Sequence, residues 1–414
     1  MSEVSDYTAL LYYTEYSYLR WNAAADVGTQ MVVTYSFTET EDLSTNLTHS
    51  ASSYWSYDQS QRDQMRDVFD QYEAIAGMKF VEVQGTSMIN IFGATGADAG
   101  GWANISQSGT SITDHNQGIF VNAYQTMTEG SYGHQVNLHE LGHAMGLKHP
   151  HDGDTTLEDE HDTQGNTVMT YNIEYPYVTT LGPLDIAALS HIYGGADSFD
   201  GWDVSVNGQD RVTIKGTDDA ETIIATDQNT RVFGKGGDDI IEGAQGDDTL
   251  NGGADNDTIT GGLGGDTLVG LGGNDILIGD TSTNDYASGG ANSDDRLFGN
   301  KGNDTAYGGN GDDVIRGGGG RDTLMGQDGA DTLTGNGGSD VFLFTTLDAY
   351  ETDTITDFQQ GRDMIDVSDM SYMQMNSLTI TQDGADTTLS YSNWFEIDLT
   401  GFSGTLDSSD FIFA

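Results

Sequence analysis

At 414 residues the chain is longer than one ordinary domain, so we expect at least two. It has 66 acidic and 14 basic residues, and the formal net charge of -52 argues against nucleic acid and anionic membranes as partners and favours cations as ligands. It has no cysteine, which excludes disulfides and any thiolate nucleophile or metal ligand.

The N-terminal segment MSEVSDYTALLYYTEYSY lacks a basic region followed by an apolar run. Nowhere does the chain contain a stretch of about 18 apolar residues. We therefore expect neither a classical signal peptide nor a membrane span. If the protein leaves the cell, we expect it to leave by another route.

Residues 1–200 have the pattern of a mixed α+β domain. Residues 59–76 form the first predicted helix, because apolar side chains recur every three or four residues at Met65, Val68, Phe69, Tyr72 and Ile75. Short strands are predicted at 31–37, 79–83, 89–92 and 118–122. These patterns indicate a core in which a helix packs against a sheet.

The second predicted helix contains HELGH, in which His139 and His143 are four residues apart. On a helix this spacing projects both imidazoles from one face, where they can share one metal ion. Gly146 can end the helix and turn the chain, which brings His149 round as a third nitrogen ligand. Three neutral imidazoles suit Zn²⁺ and leave one coordination position for water, as in a catalytic site.

A methionine follows in NTVMTYN, with Met169 placed 20 residues after His149. The string from His139 to His149 followed by such a methionine resembles the metzincin signature and its Met-turn. His134, His151 and His161 are near this motif, and we interpret them as surface or supporting groups. Asp185 is expected to orient the backbone around Met169.

After about Arg211 the sequence changes to a nine-residue repeat marked by aspartates. The repeat aspartates are Asp239, Asp248, Asp257, Asp266, Asp275, Asp295, Asp304, Asp313, Asp322, Asp331 and Asp340. Two residues after each comes a buried-type residue, with Ala306 the weakest. A disordered glycine-rich linker would not keep this period.

Each repeat predicts a six-residue turn and a three-residue strand. The glycines permit left-handed backbone, so carbonyls and the Asp carboxylate can point at one position, where Ca²⁺ would bind. Alternate repeats then supply opposite sheets of a parallel β-roll with a thin aliphatic core. Without calcium we expect the carboxylates to repel one another and the segment to unfold.

The repeats resemble those of RTX proteins, which bind Ca²⁺ in parallel β-rolls. The resemblance implies several calcium ions, held by the repeat aspartates and by turn glycines that include Gly234, Gly236, Gly252, Gly261 and Gly308. The repeats GAQGDD and GGADND lack a glycine, and residues 279–295 are expected to break the register.

Nearly the whole chain resembles the serralysins, through HELGHAMGLKHP, VMTY, GPLDIAALSHIYGG, the repeats, TITDFQQGRDMIDVSDM and the terminal DFIFA. This implies an α+β catalytic domain with a metzincin-like α/β arrangement at 1–200, an all-β parallel roll at 201–345 and a C-terminal β cap with a type I secretion signal at 346–414. It also implies that Met169 lies under one zinc ion and that Tyr171 is a further, displaceable zinc ligand.

The function implied is a secreted, extracellular zinc endopeptidase. Glu140 would act as general base, and Tyr171 would donate a hydrogen bond to the developing oxyanion. Substrate would extend along a sheet edge at Gly101, Trp102, Ala103 and Asn104, with main-chain bonds that allow broad specificity.

The partners expected are protein and peptide substrates and the type I secretion machinery, with a protein inhibitor as a further candidate. Nucleic acid and membrane insertion are not expected, and the protein should be a monomer. Two other classes compete with this interpretation. A non-catalytic calcium-binding adhesin or surface protein is disfavoured by the intact Glu140, and a membrane-active RTX toxin lacks the apolar region that it would need.

Overall fold

A computed structural model describes residues 2–11, 27–39, 53–85, 87–95, 101–103, 107–108, 111–112, 117–122, 126–153, 155–280, 293–346, 351–370, 373–392 and 395–414. The chain divides into two units. Unit 1 contains Met1–Asp200 and Val206–Asp210, and unit 2 contains Gly201–Ser205 and Arg211–Ala414.

Unit 1 contains helices and a mixed sheet. Its helices are α1 (Gln59–Glu73), α2 (Tyr132–Ala144) and α3 (Pro183–Tyr193), with 3-10 turns at Tyr7–Leu10 and Ala196–Phe199. Its strands are β1 (Ser2–Val4), β2 (Met31–Phe37), β3 (Ser53–Trp55), β4 (Met78–Glu82), β5 (Ile89–Thr95), β6 (Gly101–Ala103), β7 (Gln107–Ser108), β8 (Ser111–Ile112), β9 (Gln117–Asn122) and β10 (Thr155–Leu157).

The main sheet of unit 1 has the strand order β4-β2-β5-β9-β6. The first four strands of this order are parallel, whereas β6 pairs antiparallel with β9 and forms an edge. Strand β6 also contacts α2, the helix that carries HELGH. This topology places an edge strand beside the predicted metal site.

Helix α1 packs its apolar stripe against this sheet. Met65, Val68, Phe69 and Tyr72 are buried, and the Phe69 ring stacks 4.2 Å from the Tyr35 ring of β2. A capping box at Asp58 begins the helix where predicted. It ends three residues earlier than predicted, at Glu73, because the chain turns there to enter β4.

Unit 2 is a parallel β-roll whose strands alternate between two sheets. Its strands are β11 (Asp203–Val206), β12 (Val212–Lys215), β13 (Thr222–Ile224), β14 (Arg231–Lys235), β15 (Ile240–Gln245), β16 (Thr249–Ala254), β17 (Thr258–Leu263), β18 (Thr267–Gly272), β19 (Ile276–Ile278), β20 (Arg296–Lys301), β21 (Thr305–Asn310), β22 (Val314–Gly320), β23 (Thr323–Asp328), β24 (Thr332–Gly338) and β25 (Val341–Leu343). The even-numbered strands lie in a 12-stranded sheet and the odd-numbered ones, from β13, in a 9-stranded sheet.

The last strands extend both sheets. They are β26 (Thr352–Ile355), β27 (Met364–Asp366), β28 (Thr379–Asp383), β29 (Asp386–Tyr391), β30 (Phe395–Leu399) and β31 (Phe411–Ile412), with a 3-10 turn at Met375–Ser377. Strands β28, β29 and β30 are antiparallel neighbours at the end of the 12-stranded sheet. The fold class is therefore confirmed as an α+β unit followed by a parallel roll.

The core of the roll is the predicted column of aliphatic side chains. Ile241, Leu250, Ile259 and Leu268 are fully buried, and Ala306 fills the weakest position with 2% exposure. Many strands have six residues instead of the predicted three, because the glycine-rich turn residues also pair between coils, for example Lys235 with Gly253.

The interruption at 279–295 does not break the register, contrary to expectation. Thr267 pairs with Arg296 and Ile276 with Thr305, so both sheets continue across it. The additional residues fall between β19 and β20, and residues 281–292 lie outside the described ranges, so the strands on either side pair as in the regular repeats. Within the described ranges, no helix is long and apolar enough to cross a membrane.

Candidate active site and calcium-binding roll

The three predicted zinc ligands converge in unit 1. The Nε2 atom of His149 lies 3.2 Å from that of His139 and 3.0 Å from that of His143. Helix α2 supplies the first two, and Gly146, in the left-handed region at φ 91°, ends the helix as expected and returns the chain toward His149. These histidines form a group whose ligand atoms could hold one metal ion.

Each imidazole is oriented by a hydrogen bond at its Nδ1 atom. The Nδ1 atoms of His139 and His143 lie 2.7 and 2.8 Å from the carbonyl oxygens of Val168 and Leu147. Because a carbonyl can only accept, both Nδ1 atoms must donate, so each Nε2 keeps its lone pair for a metal. The donor set therefore fits Zn²⁺.

Sequence reasoning missed Asp152, whose Oδ2 lies 2.8 Å from Nδ1 of His149. The sequence indicates this contact only by placing Asp152 three residues after His149, and this spacing is not specific. A carboxylate in this position fixes the ring and increases the basicity of the ligand nitrogen.

Burial keeps the ligands neutral. It lowers the pKa of His139 to about 4 and that of His143 to about 3, and it lowers the pKa of His149 as well. At neutral pH all three are therefore uncharged, as metal ligands must be.

Glu140 follows His139 on the same helix and is buried, with 7% exposure. Burial raises the pKa of its carboxyl group to about 8, opposed by a hydrogen bond that the Ala103 backbone N–H of β6 donates. A cation held by the three histidines would favour the ionised carboxylate. This carboxylate, beside both the histidines and the edge strand, is placed to act as a base.

The Met-turn packs directly on the zinc helix. Met169 is fully buried, and a Cβ added at Gly142 would lie only 2.5 Å from the Met169 Sδ atom. The glycine in HELGH is thus required for this close approach. As expected, Asp185 orients this turn, since its carboxylate accepts from Val168 N at 2.8 Å and Thr167 Oγ1 at 2.5 Å.

Tyr171 lies beside the ligands, with its ring centroid 4.3 Å from that of His149. Its 62% exposure leaves room for movement. Its role as a displaceable ligand stays a prediction. Of the predicted substrate residues, Gly101 and Ala103 lie in β6, while the Trp102 side chain and the whole of Asn104 fall outside the described residues.

The other histidines have supporting contacts. His134 Nε2 lies 3.0 Å from the Thr179 carbonyl oxygen, and the His151 ring stacks 5.6 Å from that of His149. His161 lies 3.4 Å from Glu158. His151 with His149 and Asp152, and His161 with two glutamates, form two further groups of metal-ligating type.

In unit 2 every repeat aspartate is at most 2% exposed. One carboxylate oxygen links neighbouring coils, as where Asp257 accepts from Asp239 N at 3.0 Å and Asp313 accepts from Asp295 N at 2.7 Å. The same bond joins Asp266 to Asp295 across the interruption, over 29 residues, whereas the bond between Asp248 and Asp266 before the interruption spans 18. The aspartates thus form two ladders along the roll.

The second carboxylate oxygen of these aspartates points to a cation. Within the part of the chain that the structure describes, no hydrogen-bond partner reaches the buried Oδ2 of Asp239, Asp248, Asp257, Asp266, Asp275, Asp295, Asp304, Asp313, Asp322 or Asp340. Burial raises the pKa of Asp248 to about 9 and that of Asp257 to about 7, so ionised carboxylates here need a positive partner.

The turn glycines leave the space that such a cation needs. A Cβ added at Gly234, Gly252, Gly261 or Gly308 would overlap the Oδ2 atom of the aspartate five residues later. Gly236 differs, because its nearest neighbour would be Asp218 at 3.9 Å. The imperfect repeats also keep the turn, since Ala244 and Asp255 adopt positive φ values of 75° and 73°. Buried unpaired carboxylate oxygens beside close carbonyls fit the hard cation Ca²⁺.

Family comparisons agree with both sites. Residues 25–150 match the Metallo-peptidase family M12B Reprolysin-like model, and residues between 215 and 344 match the RTX calcium-binding nonapeptide repeat in overlapping segments. The chain therefore combines a metzincin-type metallopeptidase region with an RTX β-roll.

Metallopeptidase AprA of Pseudomonas marginalis is a relative, 29% identical over 189 residues that cover 39% of this chain. The match spans 40% of the relative's length. Zinc and calcium are thus the metals that the family matches and the donor atoms both indicate.

Proposed function

We propose that the chain is a secreted zinc endopeptidase that hydrolyses peptide bonds of extracellular proteins. The observation that supports this most directly is that the Nε2 atoms of His139 and His143 both lie within 3.2 Å of the Nε2 atom of His149. The buried carboxylate of Glu140 is next to this group. A structural zinc site would have four protein ligands and no need of an adjacent base.

Zinc, when bound, supplies Lewis-acid polarisation and lowers the pKa of water. Glu140 takes the proton from the attacking water and then passes it to the leaving amine, so that one carboxylate acts first as base and then as acid. The Ala103 N–H, which bonds to this carboxylate, holds it in position for both steps.

Substrate binding is assigned to the edge strand β6, which pairs with β9 on one side only. An extended peptide can add to such an edge through main-chain hydrogen bonds, which favours broad sequence specificity. Gly101, Trp102, Ala103 and Asn104 would form this edge. The ring of Tyr171 is exposed and lies beside His149. Its hydroxyl group would donate a hydrogen bond to the oxyanion that forms as water adds.

The proposed setting is extracellular, with a monomer exported by a type I system. The unpaired carboxylates of the roll support this setting, because they would keep the roll unfolded where calcium is scarce and let it fold where calcium is abundant.

The test is hydrolysis of casein by the full chain in excess Ca²⁺, with bound zinc measured in the same samples. Replacing the proposed base, Glu140→Gln, should lower kcat by a factor of at least 10² while zinc content and the circular dichroism spectrum stay unchanged. Glu129→Gln is the matched control, since this side chain is exposed, lies outside the groups of metal-ligating residues and should be dispensable.

If the folded, zinc-loaded wild type does not cleave casein after removal of any N-terminal blocking segment, the protease proposal is wrong. Equal losses in the two glutamate variants would also contradict the role of Glu140. Either result would leave a calcium-binding protein without catalysis.

A further inference from the structure

The few cations of unit 2 are concentrated on one face. The strand register aligns Arg231, Thr249, Thr267 and Arg296 in one outward row of the 12-stranded sheet, and Phe233, Phe298 and Arg316 lie in the neighbouring row. No residue in these two rows is acidic from β12 to β24, in a chain with 66 acidic residues. We call Lys215, Arg231, Phe233, Arg296, Phe298 and Arg316 the arginine face.

The opposite sheet shows that this arrangement is specific. The outward rows of the 9-stranded sheet, which include Ile240, Thr258 and Ile276, contain no lysine or arginine and do contain Glu242. Four of the nine lysines and arginines of unit 2 therefore lie on the arginine face, and none lies in the outward rows of the opposite sheet.

Among the described residues, no carboxylate lies within ion-pair distance of Arg231, Arg296 or Arg316, whereas Lys215 pairs with Asp203 at 2.7 Å. All three arginines are exposed, and the Arg316 guanidinium lies 5.7 Å from the Phe298 ring centroid. They are available to an anion.

We propose that the arginine face binds a linear sulfated polysaccharide. Three strand spacings separate Arg231 from Arg296, about 14 Å, and Arg316 lies about 8 Å from Arg296, which suits anionic groups spaced along an extended chain. A guanidinium can donate two hydrogen bonds to one sulfate. Phe233 and Phe298 offer ring faces to sugars, and the threonines between Arg231 and Arg296 offer hydroxyl groups.

Other polyanions fit this face less well. Nucleic acid has a charge about every 1.7 Å. Its electrostatic repulsion by a protein of net charge -52 would therefore exceed its attraction to three arginines. Carboxylated polysaccharides would compete with the roll for calcium, because carboxylate oxygens are preferred Ca²⁺ ligands. A neutral polysaccharide that carries one or two sulfate esters per sugar has a lower charge density than nucleic acid and no carboxylate to compete for calcium.

The experiment measures binding of the full chain, saturated with calcium, to λ-carrageenan, a linear sulfated galactan without carboxylates, and to the same polymer after desulfation. Replacing three arginines, in R231Q/R296Q/R316Q, should weaken binding to λ-carrageenan by about tenfold or more and reduce its salt dependence. The matched control K301Q/R321Q/R362Q removes three exposed cations outside the face and should bind as the wild type does.

Circular dichroism checks that both variants fold. Should the face variant misfold, amide hydrogen exchange of the wild type decides instead, with protection by λ-carrageenan expected on β14, β20 and β22. No wild-type binding, equal weakening of the two variants, binding to the desulfated polymer, or equal binding to duplex DNA or phosphatidylserine vesicles would each overturn the proposal.

Discussion

Removal of calcium should unfold unit 2 at neutral pH. Ten buried carboxylate oxygens lack a hydrogen-bond partner among the described residues, and an unsatisfied buried group costs about 1–3 kcal/mol, more if charged. Ten such groups cost roughly 10–30 kcal/mol, a range that begins within the net stability of about 5–15 kcal/mol typical of a protein and extends well above it. Without Ca²⁺ we therefore expect the cost of burying these carboxylates to unfold the roll.

Acid should partly replace calcium. Burial raises the pKa of Asp257 to about 7 and that of Asp295 to about 8 in the folded roll, above the usual value of about 4. The folded state then binds more protons than the unfolded state, so stability without calcium rises as the pH falls through these values. We expect the chelated chain to be unfolded in unit 2 at pH 7.5 and to regain β structure near pH 5.

The assay is far-UV circular dichroism of the Glu140→Gln chain, which prevents self-cleavage, titrated with Ca²⁺ after chelation. Asp313→Asn should shift the calcium midpoint to higher concentration, because among the described residues no hydrogen-bond donor reaches Asp313 Oδ2. Asp312→Asn is the matched control, since Asp312 is the preceding residue and its exposed carboxylate already accepts the Ala330 N–H. Undiminished β signal at pH 7.5 in excess chelator, or equal shifts in the two variants, would refute this reasoning.

Three predictions concern unit 1. Gly142→Ala should destabilise it by about 1–3 kcal/mol in thermal unfolding, only partly offset by better helix propensity, because the new Cβ would lie 2.5 Å from the Met169 Sδ atom; an unchanged Tm would contradict this contact. Asp152→Asn should weaken zinc binding by about 10- to 100-fold in a chelator competition and leave the calcium transition of the roll unchanged. Asp185→Ala should cost about 3 kcal/mol or more in urea unfolding, because Val168 N, Gly182 N and the Thr167 hydroxyl all lose their acceptor; a loss below about 1 kcal/mol would show that water replaces the carboxylate.

The sequence predicted those features that depend on local spacing. The helical interval between His139 and His143 and the left-handed Gly146 determine the ligand geometry within a few residues of the chain. The nine-residue period likewise determines which side chains enter the roll core, since one strand and one turn repeat identically.

The features that were missed depend on tertiary contacts or on small differences in backbone pairing. The carbonyl oxygens of Val168 and Leu147 orient two ligands, but every residue has a carbonyl and the sequence cannot distinguish them. Helix α3 was not predicted, although Pro183 at its first turn and Gly194 after its end are typical helix boundary residues. The arginine face became visible only from the register, which aligns residues 65 positions apart.

The strand register is continuous on both sides of residues 281–292, and this has a consequence for how much chain can lie between paired strands. Asp266 and Asp295 keep the same ladder contact as their neighbours although 11 additional residues separate them, as the sequence intervals of 29 and 18 show. The chain between Asp280 and Ser293 can therefore differ in length without altering the pairing of the described strands on either side. This position suits engineering, where a guest peptide or small domain could be inserted while both sheets remain intact.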